Sequence, residues 1–416
     1  MQISKYLFTR IIFSLFVCCW VISAESAPSA LGILPPTGKY IVGYREYAWI
    51  NENECPDPYF KNNKNYYSPN NSKHCREVIS TVYYPAREKT IHYSPYYRPA
   101  IAGWEQEFAK LPNNVRPIVH MREQVFIHAG KELPPILNER FPVVLFAPGF
   151  DVNGNEYSNL LINLASHGYI VFVINNTYIG DIIELPNGQI VKHQAKWVPK
   201  AWNTAETDIL YVRNKLKSLQ NNSGLLPPMN LKQVGLLGHS MGAMLTVDLA
   251  HKKPQLFQAA VALDASYEPQ WSDPHSKFKI PFLHIHAADW ATRMPRKYSG
   301  FPLSKNEYFV TLSPDKNQEN YTHHMIFSDF STLQYLPEVQ KLLAYYHIVD
   351  PKKDVLDIGI ADGKKVQLTI SNYLIIFFDR YLKNKLDVRI DQCQVLSKDT
   401  RLVCGPGNIS NTGERR

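Results

Sequence analysis

Past its first 26 residues the 416-residue chain lacks any apolar run long enough to cross a bilayer, which excludes a multi-span membrane protein. Its six cysteines show no metal-ligand spacing, so a zinc module is excluded. Lysines and arginines outnumber acids, 45 to 37, yet they are scattered without the stripe that a nucleic-acid surface requires. No internal period of roughly 20–50 residues appears, which removes solenoids and propellers. What remains is a basic chain, 45% hydrophobic, with enough apolar material for a large core.

The N-terminus, MQISKYLFTRIIFSLFVCCWVISAES, carries Lys5 and Arg10, then an apolar run from Ile11 to Ile22, then small residues. This is the pattern of a cleaved secretory leader spanning residues 1–24, so the protein is expected to be secreted or extracytoplasmic. Loss of the leader lowers the formal net charge from +8 by two and removes Cys18 and Cys19. Cys55, Cys75, Cys393 and Cys404 remain. Local pairs, Cys55–Cys75 and Cys393–Cys404, are favoured, because each closes a polar loop with little core of its own.

Residues 25–386 read as one α/β domain. KYIVGYREYAWI and REVISTVYYPA are aromatic and β-branched, and predict an antiparallel pair flanking a polar insertion at 51–75. From Phe141 onward, short apolar runs (FPVVLFAP, YIVFVIN, KQVGLLG, AAVALD, IPFLHIHA, EYFVTLS) alternate with helical patterns. That alternation predicts a mostly parallel central sheet with helices on both faces. Gly168 should stop the first of these helices, and Ile370, Tyr373, Leu374, Phe377, Phe378 and Tyr381 mark the apolar face of the last. Residues 387–416 are expected to form an irregular tail. Residues 187–202, with Trp197, Trp202 and three lysines, read either as a lid meeting a lipid surface or as a surface loop with partly buried tryptophans.

Gly238-His239-Ser240-Met241-Gly242 fits G-x-S-x-G between a strand and a helix. A serine on so sharp a turn is exposed as a nucleophile, and the helix start aims N–H groups at developing negative charge. The donors of the oxyanion hole are assigned to the backbone N–H groups of Met241 and Phe150, the latter following the strand that ends in Ala147-Pro148-Gly149. A base is expected after the last strand, where His323 and His324 stand, and His324 is preferred because it opens the apolar run HMIFSDF. For the orienting acid, Asp264 and Asp289 both end strands, and spacing slightly favours Asp289.

The runs VGYREYAW, NLLINLASHGYIVFVIN, GHSMGAM, VALDASYEP and HHMIFSDF resemble the secreted platelet-activating-factor acetylhydrolases, within the α/β-hydrolase superfamily. The resemblance implies that the acid follows the strand directly after the serine helix, which is Asp264, and that His324 is the base. It also implies hydrolysis of short or oxidised sn-2 acyl chains of phospholipids without calcium; the residues themselves point to an acyl-enzyme on Ser240 that needs no metal or cofactor, and the basic charge admits peripheral contact with a membrane or lipid surface. FAPGF replaces the family's histidine-glycine pattern, and NTYIGD follows VFVIN in place of more charged residues. Another acyl-ester hydrolase (lipase, polyesterase or thioesterase) is the alternative, ahead of a non-catalytic binding protein.

Overall fold

The computed structural model describes residues 32–62, 68, 70–88, 94–96, 125–185, 188–196, 199–221, 224–265, 277–289, 305–312, 321–337, 339–341, 358–385, 390 and 400–404. The leader, Trp197 and Cys393 lie outside the described residues, so the second cysteine pair falls outside them too. Among the described residues no helix is long and apolar enough to cross a membrane.

Among the described residues ten strands form the central sheet: β1 (Ile41–Asn51), β2 (Arg76–Ala86), β3 (Gly130–Lys131), β4 (Phe141–Ala147), β5 (Ile170–Asn175), β6 (Met229–His239), β7 (Ala259–Leu263), β8 (Phe282–His286), β9 (Glu307–Leu312) and β10 (Thr400–Cys404). Their spatial order is β10-β9-β8-β7-β6-β4-β5-β2-β1-β3. β5, β4, β6, β7, β8 and β9 run parallel, as the continuous apolar runs require when both faces are covered. β1 and β2 form the expected antiparallel pair, in register from Ile41 opposite Ala86 to Asn51 opposite Arg76. β10 pairs antiparallel with β9, so residues 400–404 are an edge strand rather than part of an irregular tail. A β-branched and apolar stretch, Thr-Arg-Leu-Val-Cys, suffices to extend a sheet whose edge would otherwise be open.

Four helices matter for the site: α1 (Ser158–Ser166), α2 (Pro199–Asn221), α3 (Met241–Lys252) and α4 (Gly363–Leu382). α1 is buried all round. Its polar face is covered by the segment at 34–38, whose Leu34 and Thr37 N–H groups donate to Asn159 Oδ1 (2.6 Å) and Asn163 Oδ1 (2.7 Å). Gly168, at φ 89°, ends it as expected, and its N–H donates to Ala165 O. α4 is capped by Asp362, which accepts from the Lys364 and Lys365 N–H groups, a cap typically worth about 1 kcal/mol. Its Phe378 and Leu382 lie against Gly235 of β6, where a Cβ would come within 2.9 Å of both. Glycine at that strand position therefore sets how closely the helix packs.

α2 begins at Pro199, so the C-terminal part of the 187–202 segment is helix rather than loop. Trp202 is buried in the core beneath it, as a helix face turned to the sheet requires. The insertion at 51–75 is pinned from several sides. Cys55 and Cys75 are joined by a disulfide, the pairing expected. Beside it Arg76 is fully buried and donates to both oxygens of Asp208 (3.1 and 2.7 Å), to Asp57 Oδ2 (3.3 Å) and to Thr177 O (3.0 Å). A buried guanidinium is tolerable only with its charge matched and its donors used, and two carboxylates with a carbonyl achieve that here.

Candidate active site

The parallel strands bring their carboxyl ends to one edge of the sheet, and every sequence-predicted site residue follows the end of a strand. At the end of β6 the chain turns abruptly into α3. Ser240 takes φ 54° and ψ −118°, a strained conformation for a residue with a Cβ. Both flanking glycines are required by close backbone approach. A Cβ on Gly238 would lie 2.1 Å from Gly242 O, and one on Gly242 would lie 2.0 Å from Ala147 O. The second contact joins the serine turn to the end of β4, where Phe150 is. A Cβ on Gly149 would come 3.3 Å from that of Ser240, so this loop passes directly beside the serine. Met241 opens α3, and N–H groups of a helix's first turn have no acceptor within the helix. Met241 thus follows Ser240 directly, and Gly149, the residue before Phe150, lies beside it.

Asp264 follows β7 and, like Ser240, has a left-handed backbone, φ 54°. The two strand ends are tied together, since the Ser240 N–H donates to Leu263 O at 3.1 Å. The Asp264 carboxylate is fully buried; Oδ1 accepts the Ala287 N–H at 2.9 Å, and Oδ2 accepts from His324 Nδ1 at 2.6 Å. This short charge-assisted bond fixes the ring with its proton on Nδ1 and leaves the Nε2 lone pair to accept. His286 Nδ1 stands 3.8 Å from the other carboxylate oxygen. Of the alternatives, the Asp289 N–H approaches Thr322 O at 3.4 Å, and the His323 ring lies edge-on to Tyr321. The structure joins His324 to Asp264, the acid that the resemblance indicated rather than the one spacing favoured.

The run from His324 to Asp329 has three anchors. His324 reaches Asp264; Phe327 is buried with its ring 5.4 Å from that of His239; Asp329 is fully buried and accepts the Ser158 and Asn159 N–H groups (2.7 and 3.0 Å) at the start of α1. Burial outweighs those donors and pushes Asp329 up to about 7. Nearby Glu156, which closes a capping box with Asn153, is driven to about 8 by desolvation and then by the neighbouring Asp181. On the other side of the site, His193 sits edge-on to Phe150 with ring centres 4.8 Å apart. Its Nδ1 is 2.8 Å from Ile179 O and 3.1 Å from Asp151 Oδ1.

Two family models match the chain: that described as chlorophyllase over residues 133–267, and that described as platelet-activating factor acetylhydrolase, isoform II, over residues 204–335. The platelet-activating factor acetylhydrolase of Canis lupus familiaris is 25% identical over 230 residues, 46% of this chain and 49% of that protein. A probable 1-alkyl-2-acetylglycerophosphocholine esterase of Arthroderma benhamiae is 28% identical over 111 residues, 25% and 26% of the two chains. Over these segments the chain is similar to platelet-activating factor acetylhydrolases. It spans half the length, or less, of these curated relatives. Among solved structures, a ferulic acid esterase from Streptomyces cinnamoneus superposes with a TM-score of 0.66 at 19% identity, covering 90% of this chain and 99% of that one. At that identity the likeness speaks for the α/β-hydrolase fold alone. The second matched segment contains the serine turn, the Asp264 strand end and His324.

Proposed function

We propose that the protein is an exported serine esterase that hydrolyses the sn-2 acyl ester of phospholipids bearing short or oxidised chains. The observation that carries this reading is the 2.6 Å bond from His324 Nδ1 to Asp264, formed beside a serine held in a strained strand-to-helix turn. With the proton fixed on Nδ1, His324 Nε2 takes the Ser240 proton as the hydroxyl attacks the ester carbonyl, then gives it to the leaving alcohol. Asp264 holds the tautomer and stabilises the imidazolium. The Phe150 and Met241 N–H groups receive the oxyanion, and one such donor is typically worth about 3 kcal/mol. Water, activated by the same imidazole, then releases the acyl group from Ser240.

Support for the acyl class comes from relatives named as platelet-activating factor acetylhydrolases and from the match across residues 204–335. The test is lipid-resolved hydrolysis by the purified protein and by Ser240→Ala. The panel comprises 2-acetyl, 2-glutaryl and 2-palmitoyl phosphatidylcholines, p-nitrophenyl esters, triglycerides and a polyester film. The expected ranking places the short and oxidised phospholipids first, with all turnover lost in Ser240→Ala. Strong turnover of polymer or triglyceride without phospholipid hydrolysis would transfer the assignment to another acyl ester.

A further inference from the structure

The second residue of the Gly-His-Ser-Met-Gly turn is fully buried and takes no part in the chemistry above, yet it joins three loops of the site. His239 Nε2 lies 3.0 Å from the backbone oxygen of His324, and His239 Nδ1 lies 2.8 Å from the Tyr157 hydroxyl. That hydroxyl in turn lies 3.4 Å from the Gly149 N–H. A carbonyl can only accept, so Nε2 carries the ring proton. The neutral ring then accepts at Nδ1, which makes Tyr157 O–H the donor there and leaves its oxygen to receive the Gly149 N–H. Burial holds the phenol pKa well above its ordinary value, so the donor proton stays in place. The direction of every bond is consistent: Gly149 N–H to Tyr157, Tyr157 O–H to His239, His239 N–H to His324 O.

The ends of this chain are the groups whose placement the reaction needs. Gly149 immediately precedes Phe150, the oxyanion donor. His239 immediately precedes Ser240. The third member is the backbone of the base itself, and the His239 ring also packs against the His324 ring with centroids 4.7 Å apart. Tyr157 is held in its turn: its ring lies 4.8 Å from that of Phe146 in β4, and Asp329 fixes the next two N–H groups while its own N–H donates to Glu156 O at 2.7 Å.

We propose that Tyr157 and His239 are positioning residues, a hydrogen-bonded strut that holds the oxyanion loop, the nucleophile turn and the base loop in mutual register. The strut rests on the esterase reading, since it positions the groups that reading assigns. It touches no reacting atom. Its loss should act on the transition state rather than on substrate capture, because a misplaced amide or imidazole matters most when the oxyanion forms, and displacements near 1 Å can cost about 100-fold.

The experiment compares the full-length protein with Tyr157→Phe, His239→Gln, His239→Leu and the double variant Tyr157→Phe/His239→Leu. Each is titrated with a fluorophosphonate, so that kcat is expressed per reactive serine, well below its melting temperature. Tyr157→Phe and His239→Leu should each lower kcat per titrated site by roughly 10- to 100-fold, with KM changed less than about threefold. His239→Gln, whose amide can still donate to His324 O and accept from Tyr157, should recover most of the loss. The double variant should be little worse than the poorer single one, as two links of one strut require. A purely structural role would lower the melting temperature and the titratable fraction while leaving kcat per site unchanged, and that result overturns the proposal. Multiplicative losses in the double variant overturn it too. A wild-type protein that takes no label and hydrolyses no ester fails at the esterase reading, and the strut falls with it; labelled wild type with fully active variants fails at the strut alone.

Discussion

Replacing Asp264 by asparagine tests the assignment of the acid with little collateral change. The backbone at 264 sits at φ 54°, a region that asparagine tolerates better than other residues with a side chain, glycine apart. The asparagine oxygen can keep the Ala287 N–H, now held at 2.9 Å by Oδ1. What changes is the atom facing His324 Nδ1 across 2.6 Å, from a carboxylate oxygen to an NH2 group. An NH2 cannot accept, so the imidazole must present its Nδ1 lone pair and move its proton to Nε2. It then has no lone pair for the Ser240 proton. In serine hydrolases this tautomer error lowers kcat by about 10⁴, which at 1.36 kcal/mol per decade is roughly 5 kcal/mol of lost transition-state stabilisation.

Asp289→Asn provides the control, because Asp289 also ends a strand and yet is not the carboxylate on His324. It should retain kcat within about fivefold. The assay is kcat and KM on p-nitrophenyl acetate and on a 2-acetyl phosphatidylcholine, with circular dichroism to show that each variant is folded. A larger loss in Asp289→Asn, or more than a tenth of wild-type kcat in folded Asp264→Asn, would refute the reasoning.

The strain at Ser240 should be measurable as stability. Glycine adopts φ 54°, ψ −118° freely, whereas alanine keeps the Cβ, so Ser240→Gly is expected to be about 1 kcal/mol more stable than Ser240→Ala: strain relief of about 1–3 kcal/mol, less about 0.4–1 for the freer unfolded chain. Urea denaturation compares the two inactive proteins, and a glycine variant no more stable than alanine would mean that the turn stores nothing. Glu156 predicts a pH effect. Its folded-state value of about 8 lies above the ordinary 4.5, so the folded protein holds a proton that the unfolded chain has released, and stability from this group is lost as pH rises towards 8. In Glu156→Gln, a permanent mimic of the neutral form, the advantage over wild type should grow between pH 5 and 8 by at most about 1.4 kcal/mol per pH unit, less because the carboxyl keeps some contact with water, and then level off. Urea titrations at pH 5, 6.5 and 8 measure it, and a pH-independent difference would show that Glu156 ionises normally.

Legibility from sequence followed the range of each interaction. The serine turn was readable because one of its constraints is local, Gly238 meeting Gly242 with Ser240 between them, although Gly242 itself is fixed by Ala147 of β4. Strands β4 to β9 were readable because burial on both faces writes itself as continuous apolar runs, and the Cys55–Cys75 pair because both ends bound one polar insertion. The choice between Asp264 and Asp289 was not local. Both end strands; spacing leaned to Asp289 and the resemblance to Asp264, and what separates them physically is the position of a loop sixty residues beyond Asp264. Arg76 and Asp208, 132 residues apart, and Tyr157 and His239, 82 apart, carry no pattern in the one-dimensional chain at all. Trp202 could be read as a lid residue or as a partly buried one, because tryptophan among lysines has the same composition on a lipid-facing loop as on the buried side of a helix's first turn.

The segment from His324 to Asp329 shows where pattern ends and geometry begins. Its spacing could be recognised as a motif, but the reason for the spacing lies in three partners drawn from three different parts of the chain. His324 answers to Asp264 at the end of β7, Phe327 to the ring of His239 at the end of β6, and Asp329 to the first N–H groups of α1. Shifting any one of them by a residue would leave a buried carboxylate without its donors or an imidazole without its acid, each a cost of several kcal/mol. The motif is therefore a rigid piece cut to fit between fixed points. The same demand accounts for a buried histidine inside the serine turn, since a loop that must hold the base in place needs a hydrogen-bond donor on the strand beneath it.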